Sequence, residues 1–323
     1  MIAPATIELD AQYRQLREEC GLLERSGRGK LRLSGADATE FLQGQLTNDI
    51  EALAPGAGCY SALLDRKGHM QADMRVLALA DGAIWIDTEA EALERVRRHL
   101  DTYKIGRAVE LEDMTSSRAI ISLIGPASES VAGTAAGPEH SQRAVTIGGA
   151  DCVAVATGGG IDLICDAEAT PAVRSALLAA GAAEVSDEAA EIVRVESGVP
   201  RFGIDVGTAT MPAEAGLVGR AVSFTKGCYI GQETVARLHY RGRPNRHLRG
   251  LRLSGAAERG DPLLLGGKEV GLLGSFCVSP RFGPIGMAVV RREAEPGDRL
   301  AVGEDGVEGE VVELPFAPES QLD

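Results

Sequence analysis

The first 110 residues alternate between strand-like and helix-like patterns of apolar side chains. Residues 30–33 alternate apolar and polar positions as a half-buried strand does, and Asp37 with Glu40 has the spacing of a capping box before a helix. Further strand patterns run over residues 59–64, 70–80 and 83–86, with a hairpin signal at Asp81-Gly82 and a second capping-box pattern at Thr88 and Glu91. These patterns predict an α+β region with an antiparallel meander.

The next unit, residues 118–185, follows the order β-α-β-β-β-α-β. Pro126 lies in the first turn of one predicted helix, and Thr170-Pro171 opens the other. The order resembles a ferredoxin-like unit with one added strand. Gly158-Gly159-Gly160 is predicted to be a turn and not a phosphate loop, because no helix with Lys-Ser/Thr follows it.

Two further patterns complete the chain. Residues 187–197 form a predicted helix that places Glu196 on its apolar stripe, and residues 222–224 form a predicted strand. After about residue 245, short strand patterns separated by glycine turns predict a small β-barrel, and residues 318–323 a loose tail. The overall prediction is an α+β protein.

The length of the chain and its net charge limit the classes of function that are compatible with the sequence. A chain of 323 residues suits two or three domains, and its net charge of −14 argues against general nucleic-acid coating or attraction to an anionic membrane. Residues 226–252 nevertheless carry seven Lys/Arg against Glu233 alone, a local excess of six positive charges. Either a local anion site or a solvated basic strand explains this excess.

The six cysteines stand far apart without a C-x-x-C pair, so their spacing does not indicate a zinc or iron–sulfur ligand set. The first ten residues lack the pattern of a signal peptide, and no apolar run approaches the ~20 residues that span a bilayer. We therefore expect a cytoplasmic protein with reduced thiols.

The densest candidate chemistry lies in the octapeptide KGCYIGQE, residues 226–233. Lys226 and a helix start predicted near residue 230 or 231 would both favour the thiolate of Cys228, so a lowered pKa is expected. Gly227 and Gly231 would permit a tight turn and a close ligand. The alternative is a glycine-bounded turn with a half-buried structural thiol.

This octapeptide resembles the signature of the YgfZ-type tetrahydrofolate-binding proteins, relatives of the glycine-cleavage aminomethyltransferase (T-protein). Those proteins are implicated in iron–sulfur protein maintenance and tRNA modification. The similarity continues through Arg237 to Asn245-Arg246 and includes four more segments, SGADATEFLQGQLTNDI, RVESG, MPAEAG and GLLGS, which begin at residues 34, 194, 211 and 271.

The resemblance implies a three-domain, aminomethyltransferase-like (cloverleaf) architecture. The expected segments are 1–115, a folate-binding α+β domain completed by 187–240; 116–186, a ferredoxin-like domain; 187–244, a helix with the KGCYIGQE motif; and 245–323, a C-terminal β-barrel.

The resemblance also implies site residues for tetrahydrofolate or a one-carbon derivative. Glu196 would hold the pterin, as two hydrogen bonds from its amino-pyrimidinone edge suit a carboxylate. Asp73 matches the family's carboxylate near N10, although His69 and Ala72 depart from the family pattern. The other implied residues are the catalytic Cys228 and Lys226 and the cofactor-binding Tyr60, Arg246, Tyr229 and Gln232.

From the residues alone, two alternatives stay open. Asp73 would be an exposed strand residue, since Asp is seldom buried. Glu196 would pair with a cation such as Arg201 and would then not face a polar pocket.

Three functions are compatible with the sequence. The first is a folate-binding protein that uses Cys228 in iron–sulfur cluster assembly or repair in client proteins. The second is a folate-dependent aminomethyltransferase-like enzyme in which Asp73 positions or protonates N10. The third is a tRNA-binding accessory module using residues 226–252, which the net charge disfavours.

Overall fold

The computed structural model describes residues 4–304 and 306–317, which form two compact units. The first unit takes the chain as far as Ala189 together with Arg220–Gln232, and the second takes Ala190–Gly219 and the chain from Glu233 onward. The predicted tail, residues 318–323, lies outside the described residues. None of the helices within the described ranges is long and apolar enough to cross a membrane.

The described residues contain strands β1 to β17 and helices α1 to α8. The strands are β1 Gly21–Glu24, β2 Gly29–Ser34, β3 Gly58–Leu64, β4 Met70–Ala78, β5 Ile84–Thr88, β6 Glu110–Asp113, β7 Arg118–Ile124, β8 Gln142–Ile147, β9 Ala150–Thr157, β10 Gly160–Asp166, β11 Ala183–Glu184, β12 Arg246–Leu253, β13 Pro262–Leu265, β14 Lys268–Ser279, β15 Gly283–Arg291, β16 Arg299–Val302 and β17 Val307–Val312. The helices are α1 Pro4–Glu18, α2 Ala38–Gln45, α3 Ala90–Tyr103, α4 Ser128–Ala132, α5 Thr170–Ala179, α6 Asp187–Glu196, α7 Val218–Ala221 and α8 Gln232–Arg241.

The first unit contains two antiparallel-rich sheets. A five-stranded sheet has the order β3-β4-β5-β2-β6, and a six-stranded sheet has the order β11-β1-β7-β10-β9-β8. Side chains alternate between the faces of a strand, so Leu77 and Trp85, which are register partners, lie on one face of the first sheet. They share an apolar cluster with Ile120, Val155 and Ile164 of the second sheet.

The other face of the six-stranded sheet forms a separate core under two helices. Leu163 and Cys165 of β10 pack there with Val173 and Leu177 of α5. The order β7-α4-β8-β9-β10-α5-β11 is the predicted ferredoxin-like order. One strand, β1, was not predicted; it pairs with β7 and β11 and so brings residues 21–24 into this sheet.

The second unit contains a closed six-stranded barrel with the order β12-β15-β14-β13-β16-β17. Its interior is apolar, and Leu251, Leu263 and Val311 are fully buried there. The predicted α+β class and the C-terminal β-barrel are therefore confirmed.

Three local predictions were wrong. Asp37 makes no side-chain cap and instead accepts a hydrogen bond from the Ala108 backbone N–H. Thr88 lies inside β5, where its hydroxyl donates to the Asp73 carbonyl, and Glu89 takes the N-cap position of α3. Residues 222–224 form no strand. In the first two cases a long-range partner takes the side chain that the local pattern assigned to the helix end.

Candidate functional site

The loop after α2 joins three parts of the first unit. The Thr47 hydroxyl donates to the Ala221 carbonyl at 2.6 Å, and the Asn48 amide donates to the carbonyls of Tyr60 and Arg220 at 2.8 and 3.2 Å. Both residues belong to the segment of residues 34–50 that resembles the family signature. The loop therefore fixes the chain near residues 220 and 221 against strand β3.

Lys226 anchors the KGCYIGQE segment to the same loop. Its ammonium donates to the carbonyls of Gln43, Leu46 and Asn48 at 2.5, 2.6 and 2.9 Å. Burial lowers the pKa of Lys226 to about 8, and its Nζ lies 5.1 Å from the centre of the Tyr229 ring. An ammonium has three donors, and all three are used here. Lys226 thus holds the backbone of the segment, and its N–H groups are directed to carbonyls and not to the Cys228 sulfur.

Gly231 brings the same segment close to the β3–β4 turn. Its φ is +85°, and a Cβ built on it would lie 2.5 Å from the Asp65 carbonyl oxygen. An L side chain is disfavoured at this φ and would overlap the turn. Gly227 has no such constraint, since a Cβ there would meet nothing within 4 Å.

Cys228 lies between these two fixed points and is exposed. The half-buried thiol of the alternative interpretation is therefore not what the structure shows. Helix α8 begins at Gln232, close to the predicted start, and Gln232 is partly buried. Tyr229 is 7% exposed, burial raises its pKa to about 12, and its hydroxyl lacks a hydrogen-bond partner among the described residues.

Asp73 lies on β4 and is buried, with 4% of its surface exposed. The expectation of an exposed strand residue is thus wrong. Burial raises the pKa of Asp73 to about 6, against the opposing effects of the Tyr60 hydroxyl, a hydrogen-bond neighbour, and of Arg28. Within the described part of the chain, Asp73 Oδ2 has no hydrogen-bond partner. A buried carboxylate oxygen without a donor calls for a ligand or water.

Arg75, which lies on the same face of β4 as Asp73, belongs to a network of buried charges. Arg75 Nε donates to Asp87 Oδ2 at 2.7 Å, and Arg75 Nη1 donates to Asp162 Oδ2 at 2.7 Å. Arg28 Nε donates to Asp87 Oδ1 at 3.0 Å and also pairs with Glu89. Although burial opposes ionisation, Arg75 and Arg28 lower the pKa of Asp87 to about 2. Asp162 lies on β10, so the network ties the two sheets of the first unit together.

His140 and Arg220, which the sequence did not indicate, complete the surroundings of Tyr60. The Arg220 guanidinium lies 4.7 Å from the centre of the Tyr60 ring and pairs with Glu139. The His140 ring is 6.5 Å from that of Tyr60 and nearly parallel to it. Among the described residues His140 alone combines a side chain with a positive φ, +68°, and both of its ring nitrogens are buried without hydrogen-bond partners, although Nε2 lies 3.8 Å from Glu139 Oε1.

The buried polar atoms that lack hydrogen-bond partners in the first sheet and its surroundings, as far as the structure describes the chain, lie around Tyr60. Besides Asp73 Oδ2 and the two His140 nitrogens, Arg75 Nη2 is buried without a partner, and Arg75 is the register partner of Tyr60. Burial lowers the pKa of His140 to about 4, so its neutral ring offers one donor and one acceptor. Donors and acceptors around Tyr60 are thus available to a polar ligand. No sequence signal marks His140, which lies in an irregular segment.

The other predicted site residues, Glu196 and Arg246, belong to the second unit. Glu196 is buried, and its Oε1 accepts a 2.5 Å hydrogen bond from the Ser279 hydroxyl, whereas Arg201, the considered partner, pairs with Glu191. Arg246 donates to both oxygens of Glu214 at 2.9 and 2.8 Å. The structure therefore brings Asp73 and Tyr60 together in the first unit. Lys226 and Tyr229 contact each other, and Lys226 joins them to the loop of residues 43–48, which also binds the Tyr60 carbonyl. Glu196 and Arg246 have partners within the second unit.

Comparisons with known proteins identify relatives along the whole chain. The family profile "GCVT N-terminal domain" matches residues 5–226, and "Glycine cleavage T-protein C-terminal barrel domain" matches residues 246–317. The chain is 28% identical over 321 residues to the aminomethyltransferase of Rubrobacter xylanophilus, covering 95% of this chain and 86% of that protein. It is 29% identical over 312 residues to the aminomethyltransferase of a Synechococcus species, covering 91% and 86%.

The fold also matches a solved structure. The crystal structure of glycine cleavage system aminomethyltransferase T from Bartonella henselae superposes with a TM-score of 0.85 over 96% of this chain and 89% of that chain, at 22% identity. These matches confirm the predicted aminomethyltransferase-like architecture. The YgfZ-type signature within that superfamily stays a prediction.

Proposed function

Because the chain belongs to the glycine cleavage T-protein family, we propose that it binds a reduced folate and uses Cys228 to support iron–sulfur cluster assembly or repair in client proteins. Clients would include tRNA-modifying enzymes, as the YgfZ-type signature implies. The observation that carries the folate part is the buried, unpartnered Oδ2 of Asp73 beside Tyr60. The proposal keeps the cytoplasmic setting expected from the sequence.

The residues of the first unit fit a folate. Asp73 Oδ2 is an acceptor without a donor, and Tyr60 offers a ring surface. Glu196, which belongs to the second unit, stays the pterin contact that the family resemblance implies. A bound folate supplies a nitrogen that carries a one-carbon unit. With a pKa of about 6, Asp73 is mainly ionised at neutral pH yet takes up a proton readily.

Support for the cysteine part comes from the arrangement of the octapeptide. Lys226 and Gly231 fix the backbone on either side of Cys228, and the Cys228 side chain is exposed. A positioned, accessible thiol suits chemistry with another protein better than a structural role. Cys228 is thus the proposed reactive group.

A second candidate, the aminomethyltransferase-like one-carbon transferase, is favoured by one specific observation. Asp73 has its pKa raised to about 6 by burial, which suits a group that exchanges a proton with a folate nitrogen. No comparable observation favours the tRNA-binding module. Two cations of its basic tract, Arg246 and Arg249, already pair with Glu214 and Glu313.

Calorimetric titration of the reduced protein with tetrahydrofolate, under anaerobic conditions, tests the folate part. We expect saturable binding near one folate per chain, because the unpaired groups around Tyr60 gain partners only when a ligand enters. Cys228→Ala should bind equally well. Absence of saturable binding by the wild-type protein would remove the folate part of the proposal.

Complementation tests the cysteine part. In cells that lack the protein, the activity of iron–sulfur enzymes should be restored by the wild type and by Cys277→Ala, a half-buried cysteine in the barrel, but not by Cys228→Ala. Full restoration by Cys228→Ala would contradict the proposed role. Turnover of an aminomethyl donor that survives Cys228→Ala but is lost in Asp73→Ala would instead establish the transferase.

A further inference from the structure

Two cysteines that are 13 residues apart in the sequence are brought together by the six-stranded sheet. Cys152 on β9 and Cys165 on β10 are direct register partners in an antiparallel pair. Both are free and buried, and both point into the core under α5. The strands are joined by the short turn at Gly158-Gly159, so the register across this turn places the two cysteines opposite each other.

The geometry suits a bond between the two sulfurs. Directly opposed residues of an antiparallel pair have Cα atoms about 4.5 to 5.5 Å apart. A disulfide needs a Cα separation of roughly 4.4 to 6.8 Å, so the strands need no large movement. The Cys152 thiol donates to the Ala150 carbonyl at 3.6 Å, and among the residues that the structure describes no cation or carboxylate separates the two opposed side chains in their shared apolar core.

The pair is also chemically asymmetric. The neighbouring Cys152 and Thr170 side chains lower the pKa of Cys165, whereas the Cys165 contact and burial raise the pKa of Cys152. Cys165 is thus the sulfur with the larger thiolate fraction and the one expected to react first.

Other uses of the pair lack support. The residues described in the structure contain no cluster of three or more His, Cys, Asp or Glu side chains able to hold a metal ion. A third cysteine of the same core, Cys20, has its sulfur 4.0 Å from the Ser128 hydroxyl. The pair is therefore an isolated dithiol, and Cys20 is a matched buried control.

We propose that Cys152 and Cys165 are a reversible oxidation site that closes to an intrachain disulfide in the presence of a peroxide. The Cys165 thiolate attacks one oxygen of hydrogen peroxide and becomes a sulfenic acid, while the leaving hydroxide takes up the proton lost by the thiol. The Cys152 sulfur then attacks the sulfenic sulfur and releases a second water as its own proton leaves. Two thiols are oxidised by two electrons, and one peroxide is reduced to two waters.

The site is independent of the proposed folate and Cys228 chemistry but lies near the charge network. Asp162, which accepts the hydrogen bond from Arg75, is three residues before Cys165 on β10. A disulfide would tie β10 to β9 beside that position. Because Cys152 is 4% exposed and Cys165 is fully buried, a small uncharged oxidant such as hydrogen peroxide is the appropriate probe.

Peptide mapping of the peroxide-treated full-length protein tests the proposal. The tryptic peptide of residues 144–174 contains both cysteines and no others. We expect it to lose about 2 Da, the mass of two hydrogens, and to resist alkylation until dithiothreitol is added. A second digestion on the amino side of aspartate cuts before Asp151, Asp162 and Asp166, so fragment 151–161 with Cys152 and fragment 162–165 with Cys165 should remain linked only in the oxidised sample.

Variants sharpen the result. Cys20→Ser should keep the mass loss, whereas Cys165→Ser should abolish it. Three outcomes with the wild-type protein would overturn the proposal: the peptide stays fully alkylatable, it forms only higher sulfur oxides, or Cys152 is linked to Cys20. Because the wild-type map decides, the proposal stays testable even if Cys165→Ser does not fold.

Discussion

Asp73→Asn is expected to make the protein more stable at neutral pH and a weaker binder of tetrahydrofolate. The buried carboxyl of Asp73 has its pKa raised from 3.8 to about 6, so ionising it costs free energy in the folded state only. A shift of two pKa units corresponds to a cost of about 3 kcal/mol for ionising Asp73 in the folded protein. Asparagine cannot ionise, so the variant avoids this cost. The same change removes the unpaired carboxylate oxygen, and losing one charge-assisted hydrogen bond should weaken folate binding about 10- to 100-fold.

The pH dependence distinguishes this explanation from a general packing effect. Below pH ~3, Asp73 is protonated in both folded and unfolded chains, so wild type and variant should have equal free energies of unfolding. Between the ordinary pKa of 3.8 and the folded-state pKa of about 6, the carboxyl ionises in the unfolded chain but not in the folded one, so the difference should grow with pH across this window and become constant above it. Urea unfolding at pH 3, 5 and 8 measures this. A difference that does not change with pH would contradict the assignment.

Asp81→Asn is the matched control. Asp81 is an exposed acid in the same sheet, and its hydrogen bond from Arg32 lowers its pKa. Its replacement should therefore not stabilise the protein at neutral pH, and it should leave tetrahydrofolate binding unchanged. Weakened binding in this control would indicate that charge at a distance, and not the Asp73 oxygen, controls folate affinity.

Local patterns predicted the fold well where the determining interactions are local. The Asp81-Gly82 turn and the glycines at 158–160 are fixed by backbone conformational freedom, which short sequences encode directly. The barrel followed from strand-length apolar patterns between glycine turns. Strand β1, in contrast, finds β7 about 100 residues away, and four residues carry no pattern that specifies such a partner.

The candidate functional site could be predicted less completely than the fold. Sequence resemblance indicated Asp73, Tyr60 and Cys228, but the burial of Asp73 depends on a second sheet that its own strand does not encode. His140 had no signal, because its position depends on Tyr60, which is distant in sequence. The Cys152–Cys165 pair lies across the predicted turn at residues 158–160, but the turn alone does not fix the register that opposes the two cysteines. Capping-box patterns misled for the same reason: Asp37 and Thr88 have partners far from their own helices.

Arg75→Met is expected to destabilise the protein by about 3 to 5 kcal/mol, because it removes one partner of a buried ion-pair network. Arg75 is 5% exposed and binds Asp87 and Asp162 on different strands. Methionine fills much of the same volume but donates no hydrogen bond. Asp87 would retain its ion pair with Arg28, whereas Asp162 would keep the Ser122 hydrogen bond and the more distant charge of Arg25, so most of the penalty should come from Asp162.

The comparison with an exposed pair makes this test specific. Arg97→Met removes an arginine that pairs with Glu94 on the surface of α3, and it should leave the free energy of unfolding nearly unchanged, because an exposed ion pair is screened by solvent. In the wild type, the low pKa of Asp87, about 2, means that its ion pairs stabilise the fold above pH ~4 and are lost as the pH falls toward 2. Arg75→Met should therefore reduce the loss of stability that accompanies a fall in pH from about 4 to 2.

Because Arg75 is two residues from Asp73 on the same face of β4, Arg75→Met should also weaken tetrahydrofolate binding. The double change Arg75→Met with Asp162→Leu should recover stability without recovering affinity. A loss below about 1 kcal/mol would show that the network does not hold the two sheets together.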